Sequence, residues 1–206
     1  MSVCVSFWVS RALIRDNVEY VVAIDDMDRA KFYWGVNFDA RYNTLPEDNE
    51  SNTYKNEDIV RVGELDTPQG AKLKNLFLSC ISTPPCYDDR MTTEDSRRTL
   101  HVFYLNITKL GDTSAVGMTY YHEKHVFIVL PISIVTNKNT FAHEFGHALY
   151  ASNNELNGND PVSGKEHNDD PVNLMYVDSG NDTRLLVQKQ LDAKEYSFLT
   201  NPHVLH

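Results

Sequence analysis

The sequence predicts an α+β domain in which helices pack on one twisted, mixed sheet. Three observations lead there. The first residues alternate with the period of a strand, Val3, Val5, Phe7 and Val9 against Ser6, Trp8 and Ser10. Residues 100–107 and 125–130, LHVFYLNI and HVFIVL, are dense in β-branched and aromatic side chains and bounded by polar turns. Stretches with helical spacing of apolar residues lie between and after them, and strands and helices sharing one sheet make an α+β architecture. A chain of 206 residues is enough for one well-buried domain and short for two.

Taken in order, residues 2–10 form the first strand. Residues 25–40 follow as a helix, with Met27, Ala30 or Lys31 and Trp34 near one face. Residues 43–58, rich in Asn, Glu, Asp, Ser and Thr, form a surface loop. A second helix covers 67–81; Asp66 or Thr67 caps it, and Leu73, Leu76, Phe77 and Ile81 make its apolar stripe. Pro84-Pro85 ends it, and 87–98 is a polar connection. After the strand at 100–107, Gly117 to Tyr121 is a short extended segment. The strand at 125–130 is almost wholly apolar, so it is covered on both faces, and Pro131 stops it. A helix runs from about 139 to 151. Residues 152–173 abound in Asn, Asp, Gly, Pro and Ser and form a long irregular loop. The last helix, 183–199, aligns Leu186, Gln190 and Ala193 or Lys194, with Leu185, Leu191 and Phe198 nearby.

Composition narrows the partners. The apolar fraction of 41% is ordinary for a globular chain, and 19 Lys plus Arg against 29 Asp plus Glu leave a formal charge of −10. No basic run offsets that charge locally, so nucleic acid and anionic membrane surfaces are poor partners. No apolar stretch approaches the roughly 18 residues that span a bilayer. The apolar N-terminus lacks a basic flank and a small-residue cleavage site, so it reads as a strand rather than a signal peptide. Cys80 and Cys86 bracket a five-residue loop that one bridge could close, leaving Cys4 over; free thiols fit equally, and the redox compartment stays open.

The chemistry concentrates in Phe141-Ala142-His143-Glu144-Phe145-Gly146-His147-Ala148-Leu149-Tyr150. Residues four apart on a helix stand one turn above each other, so His143 and His147 project from the same side toward one ion. Glu144, next to the first ligand, is placed to work on water rather than on the metal. Ala142, Phe145, Ala148 and Leu149 supply the buried face. Two imidazoles leave a catalytic zinc site one protein ligand short. The following loop offers His167, Asp169 and Asp170 among others, and the last helix offers Glu195; His167 is preferred on chemistry. The remaining histidines, His101, His122, His125, His203 and His206, lack ligand spacing and default to surface or core.

HEFGHALY followed by HNDDPVNLMY resembles the metzincin clan of zinc peptidases, most closely its matrixin-like members. The clan's pattern is HExxHxxGxxH followed by a Met-turn, and the interval from His167 through Asp170-Pro171 to Met175 matches it in spacing. The resemblance is good over about 100–199 and faint before. It implies a single zincin-like domain with an active-site helix and a C-terminal helix. In it, 1–136 forms the sheet-containing upper part, and 137–206 the active-site helix, an insertion loop, the Met-turn and the C-terminal helix. It further implies His143, His147 and His167 as zinc ligands, Glu144 as general base and proton shuttle, and Met175 as the hydrophobic turn beneath the metal. One departure stands out: the clan's glycine falls at Tyr150 and its third histidine at Asn153, so about 14 extra residues precede His167. Gly158, Pro161 and Gly164 can bend the chain back. Loop closure grows only logarithmically with length, so the insertion costs about 1 kcal/mol or less.

The expected function is metal-assisted hydrolysis of a peptide bond within a protein or peptide substrate. Gly117, Met118, Thr119 and Tyr120 would offer an edge strand to an extended substrate, residues 176–182 would wall a pocket, and Tyr176 would either reach the metal region or pack. The acidic, amide-rich loop at 157–170 has calcium-type donors, although a solvated loop accounts for it as well. Rival expectations are a catalytically weak zinc-binding module, and a delivered toxin or effector protease with one narrow target and a proteinaceous inhibitor. The protein is expected to be a monomer, secreted or delivered outside the producing cell.

Overall fold

The computed structural model describes residues 1–14, 18–45, 54–81, 98–131, 139–178, 184–201 and 203–204. The chain runs β1 (Ser2–Val9), α1 (Arg11–Ile14), α2 (Val18–Trp34), β2 (Asn37–Thr44), α3 (Ala71–Ile81), β3 (Thr99–Leu105), β4 (Met118–His122), β5 (His125–Pro131), α4 (Thr140–Ala151) and α5 (Gln188–Asp192). Short 3₁₀ turns cover Asn56–Asp58, Val62–Glu64 and Ala193–Tyr196.

The strands form one five-stranded sheet in the order β2-β1-β3-β5-β4. β2, β1, β3 and β5 are parallel, and β4 joins β5 antiparallel at one edge. The β4–β5 turn is tight, with Glu123 at φ 48° and Lys124 at φ 66°, the paired positive angles of a type I′ connection. Such a turn fixes the register, Met118 opposite Val129 and His122 opposite His125.

Strand alternation divides the core between the two faces of the sheet. Val3, Val5, Phe7, Leu100, Val102, Val126 and Ile128 pack on one face against α2, α4 and the turn holding Leu174 and Met175. Trp8, Phe103, Phe127 and Val129 pack on the other against Leu73, Leu76 and Phe77 of α3. Phe77 stacks on Phe127 with ring centroids 4.2 Å apart, which anchors α3 at the middle of the sheet. β3 and β5 are buried along their whole length, as their continuous apolar runs require. The fold is a mixed α+β single domain with its helices on one mixed sheet, as the sequence predicts.

Three boundaries differ from the sequence reading. The helix placed at 25–40 starts earlier and stops at Trp34. Gly35, at φ 64°, ends it in the left-handed region, and Asn37–Thr44 leaves to pair with β1 instead of continuing the helix or entering a loop. α3 begins at Ala71 rather than 67, because Thr67 to Gly70 closes a turn in which the Gly70 amide donates to Thr67 O at 3.0 Å. The helix expected at 183–199 is confined to Gln188–Asp192 and the 3₁₀ turn after it. Of the two readings left open for the cysteines, the free thiol holds at Cys80, which is buried with its pKa pushed up to about 12 by burial, while Cys4 is disulfide-bonded. The expectations for Pro84-Pro85, for most of 87–98 and for His206 lie outside the described residues.

One buried contact makes stability depend on pH. Tyr104 Oη of β3 donates to Asp26 Oδ2 of α2 at 2.5 Å, and burial, with the nearby charge of Asp25, pushes the Asp26 carboxyl up to about 7. A carboxyl whose folded pKa is raised favours the folded state fully below its ordinary value near 4, and that contribution is lost as pH rises through about 7. Asp26→Asn should therefore flatten part of the pH dependence: the stability difference between wild type and variant, read from urea unfolding at pH 4.5 and pH 8, should move against wild type at the higher pH.

Candidate active site

α4 carries the first two histidines, and every residue from Thr140 to Tyr150 is buried. A helix enclosed on all sides needs partners for its polar atoms and room for its backbone. α2 meets the first need at Trp34, whose indole Nε1 donates to Ala142 O at 2.8 Å while its ring packs edge-on against Phe145 and Tyr150. Tyr33 Oη donates to Asn139 Oδ1 at 3.2 Å at the start of the same helix. Gly146 supplies the room: a Cβ there would lie 2.3 Å from Met175 Sδ and 2.7 Å from Trp34 Cζ2. The glycine thus lets the Leu174-Met175 turn press directly against the helix that bears the histidines.

That turn orients the first imidazole. Nδ1 of His143 donates to Leu174 O at 2.7 Å, which fixes the tautomer and leaves the Nε2 lone pair free. Nε2 of His147 lies 3.1 Å from that atom. Two nitrogens bound to one tetrahedral zinc at 2.0–2.1 Å would stand roughly 3.3 Å apart, so the pair is set at the separation of two ligands on one ion. His167 joins them from the loop, its ring centroid 5.3 Å from that of His143 and 4.9 Å from that of His147. One ring nitrogen from each of the three lies within 4.8 Å of the others, a trio that can hold a metal ion. Burial holds all three imidazoles below their ordinary pKa, His143 at about 4, with the neighbouring rings adding to the shift at His147. Three neutral imidazoles, one oriented by a carbonyl behind it, form a donor set that suits zinc.

Glu144 sits beside this trio, 5% exposed. Thr119 Oγ1 of β4 donates to Glu144 Oε2 at 2.6 Å, so the edge strand holds the carboxylate. Burial pushes the Glu144 pKa up to about 7, against the Thr119 bond and with a smaller contribution from Glu166. Gly117 leaves the space this carboxylate occupies, since a Cβ there would fall 2.6 Å from Glu144 Cγ and 2.7 Å from Oε1.

The other expected residues are placed as follows. Met175 is fully buried against α4, and Tyr176 after it is half-buried. Tyr120 is buried on the far face of the sheet, where its hydroxyl donates to Val60 O at 2.6 Å, so only its backbone faces the cleft side. Asp169 pairs with Lys165 at 2.9 Å, and Asp170 Oδ1 accepts from the Val172 amide at 3.0 Å. Glu195 is exposed and outside the metal-capable trio. His101 and His125 are buried in the core, and His203 is exposed. Part of the pocket wall expected at 176–182 lies outside the described residues. Sequence reasoning missed Thr119 as a partner of Glu144, and Trp34, Gly146 and Leu174 as the frame of the histidines. A glycine inside a helical motif was the one visible signal.

The fold has a counterpart among solved structures. The metalloproteinase-II structure from Bacteroides fragilis superposes with a TM-score of 0.55 at 11% identity, covering 94% of this chain and 52% of that one. The two share a fold. The chain spans about half the length of that structure. A zinc-dependent peptidase from Methanocorpusculum labreanum (strain Z) overlaps at a TM-score of 0.44 with 14% identity, over 92% of each chain. No protein-family model matches the sequence, and no curated protein matches it by sequence.

The tight contact beneath the helix gives a direct test. Gly146→Ala should lower stability by about 1–3 kcal/mol through overpacking, measured by denaturant unfolding of the metal-free protein. Gly117→Ala should instead displace the Glu144 carboxylate, whose Cγ and Oε1 would lie under 3 Å from the new Cβ, and cost less stability than Gly146→Ala in the same unfolding measurement.

Proposed function

We propose that the protein is a zinc-dependent endopeptidase of matrixin-like type, with His143, His147 and His167 as the ligands and Glu144 as the general base. The observation that carries this reading is the convergence of three imidazoles beside a buried carboxylate, with all three ring nitrogens inside 4.8 Å. In this reading residues 1–136 supply the sheet, and 137–206 supply the helix, loop, methionine turn and C-terminal segment. Bound there, zinc would polarise the scissile carbonyl and make the attacking water more acidic.

The chain's own groups do the rest. Leu174 O keeps the His143 ring in the tautomer that presents Nε2. Thr119 keeps one oxygen of Glu144 occupied, leaving the other to take the proton of the attacking water and return it to the leaving amine. β4 is an edge strand beside this carboxylate, and its outer backbone groups are available to pair with an extended peptide. Met175, packed under Gly146, forms the apolar floor.

Glu144→Gln should retain one zinc per chain and lower kcat on a fluorogenic peptide by at least about 100-fold, the usual size of a general-base contribution. Cleavage at wild-type rate by that variant would remove Glu144 from the mechanism. His167→Ala should lose tight zinc binding, read by competition with a chromophoric chelator.

A further inference from the structure

The third histidine poses a mechanical problem. His143 and His147 sit on a buried helix, but His167 sits in a loop with no helix and no paired strand, fourteen positions beyond Asn153. A ligand on such a segment reaches an ion in one geometry only if something other than apolar packing fixes the loop.

We propose that Asp160 is that fixture, a positioning residue that sets the His167 imidazole against the other two; this rests on the reading of the trio as the zinc site. Asp160 is 0% exposed, within a loop otherwise largely half-buried or exposed. Both carboxylate oxygens accept hydrogen bonds. Oδ1 receives Gln190 Nε2 at 2.5 Å and Tyr150 Oη at 3.4 Å, and Oδ2 receives Asn168 Nδ2 and the Ser163 amide, each at 2.9 Å. The four donors come from three segments, α4, the loop that carries His167 and α5. Tyr150 lies one turn beyond His147 on α4, Asn168 directly follows His167, and Gln190 lies on α5. Ser163 Oγ itself donates to His167 O at 2.9 Å.

The network then reaches the turn behind His143. Gln190 Nε2 also donates to Asn173 Oδ1 at 3.0 Å, and that same oxygen accepts the Met175 amide at 2.9 Å. Asn168 N donates to Met175 O at 2.8 Å. One buried carboxylate therefore links the loop that carries His167 to the turn whose Leu174 carbonyl orients His143. Tyr150 and Asn153, which occupy the positions where the resembling clan has a glycine and its third histidine, both face inward: Tyr150 bonds Asp160, and Asn153 Nδ2 donates to Ala193 O at 3.4 Å. In this chain the side chain of Tyr150 takes part in holding the longer loop that carries the third imidazole.

The test uses the full chain, metal-free, then loaded with Zn²⁺ or Co²⁺. Asp160→Asn keeps the size of the side chain but turns one acceptor into a donor facing Asn168 and Ser163. Its zinc affinity, by chelator competition, should fall about 10- to 100-fold, as for other partners behind metal ligands. The visible absorption of its Co²⁺ form should shift toward that of His167→Ala, a change that general loss of stability does not produce. Wild-type affinity and an unchanged Co²⁺ spectrum in Asp160→Asn would overturn the proposal, whatever the melting temperature of its apoprotein. Should Asp160→Asn fail to fold, Asn168→Ala removes the one Oδ2 donor that adjoins His167 and leaves the Ser163 amide in place; the same two changes support the proposal and their absence overturns it. If wild type holds no zinc, or His167→Ala binds it as wild type does, the zinc reading itself fails and this proposal falls with it. If those controls behave as expected while both network variants match wild type, only the role of Asp160 is lost.

Discussion

The arrangement depends on a helix that cannot roll. His143 and His147 share a face by virtue of their spacing, and a rotation of α4 by a few tens of degrees would carry both rings together away from His167 and the Leu174 carbonyl. Enclosure prevents it. The sheet lies on one side, Trp34 holds the Ala142 carbonyl on another, and Met175 fills the notch left at Gly146. Interior packing is dense enough that such contacts transmit position rather than merely add stability. With the helix locked, a single backbone carbonyl, Leu174 O, is sufficient to select the His143 tautomer.

The parts of the molecule differ in the kind of force that places them. The two helical histidines are positioned by apolar packing, which is dense and indifferent to detail. Glu144 is positioned by one hydroxyl and one missing side chain, Thr119 and Gly117. His167 is positioned through buried polar side chains that satisfy one another, Asp160, Asn168, Asn173 and Gln190. Buried networks of that kind are stringent, because each unsatisfied member costs the desolvation of a polar group, about 1–3 kcal/mol. The chain-entropy cost of a longer loop is small by comparison, so the loop is governed by whether its buried groups find partners rather than by its length.

Much of this was readable from residues alone, and the boundary between readable and hidden is physical. β1, β3 and β5 announced themselves through local composition, and the helix spacing of His143 and His147 is a property of adjacent turns. The start of α2 and the existence of β2 were not local properties. Asn37–Thr44 is rich in polar residues and is a strand because β1 offers it a partner, while Gly35 halts the helix just before it. The last helix was overextended because Leu185 and Leu186 continue its apolar spacing, yet Leu185 is bridged to Asn173 outside any helix. His167 is favoured by donor chemistry and by the run that follows it to Met175, and neither signal places it beside the helix. The partners that bring it there, Asp160, Asn168 and Gln190, are ordinary polar residues until the fold buries them together.

The side chains of β4 have a consequence for selectivity. Thr119 is committed to Glu144, Tyr120 to the Val60 carbonyl, and Met118 to the core beneath the sheet. If the proposed pairing with a peptide holds, a chain aligned on this rim would meet backbone amides and carbonyls and, of the β4 side chains, the exposed Tyr121. On that reading the strand itself would discriminate little between one sequence and another, and the exposed Tyr121 is the β4 side chain placed to do so.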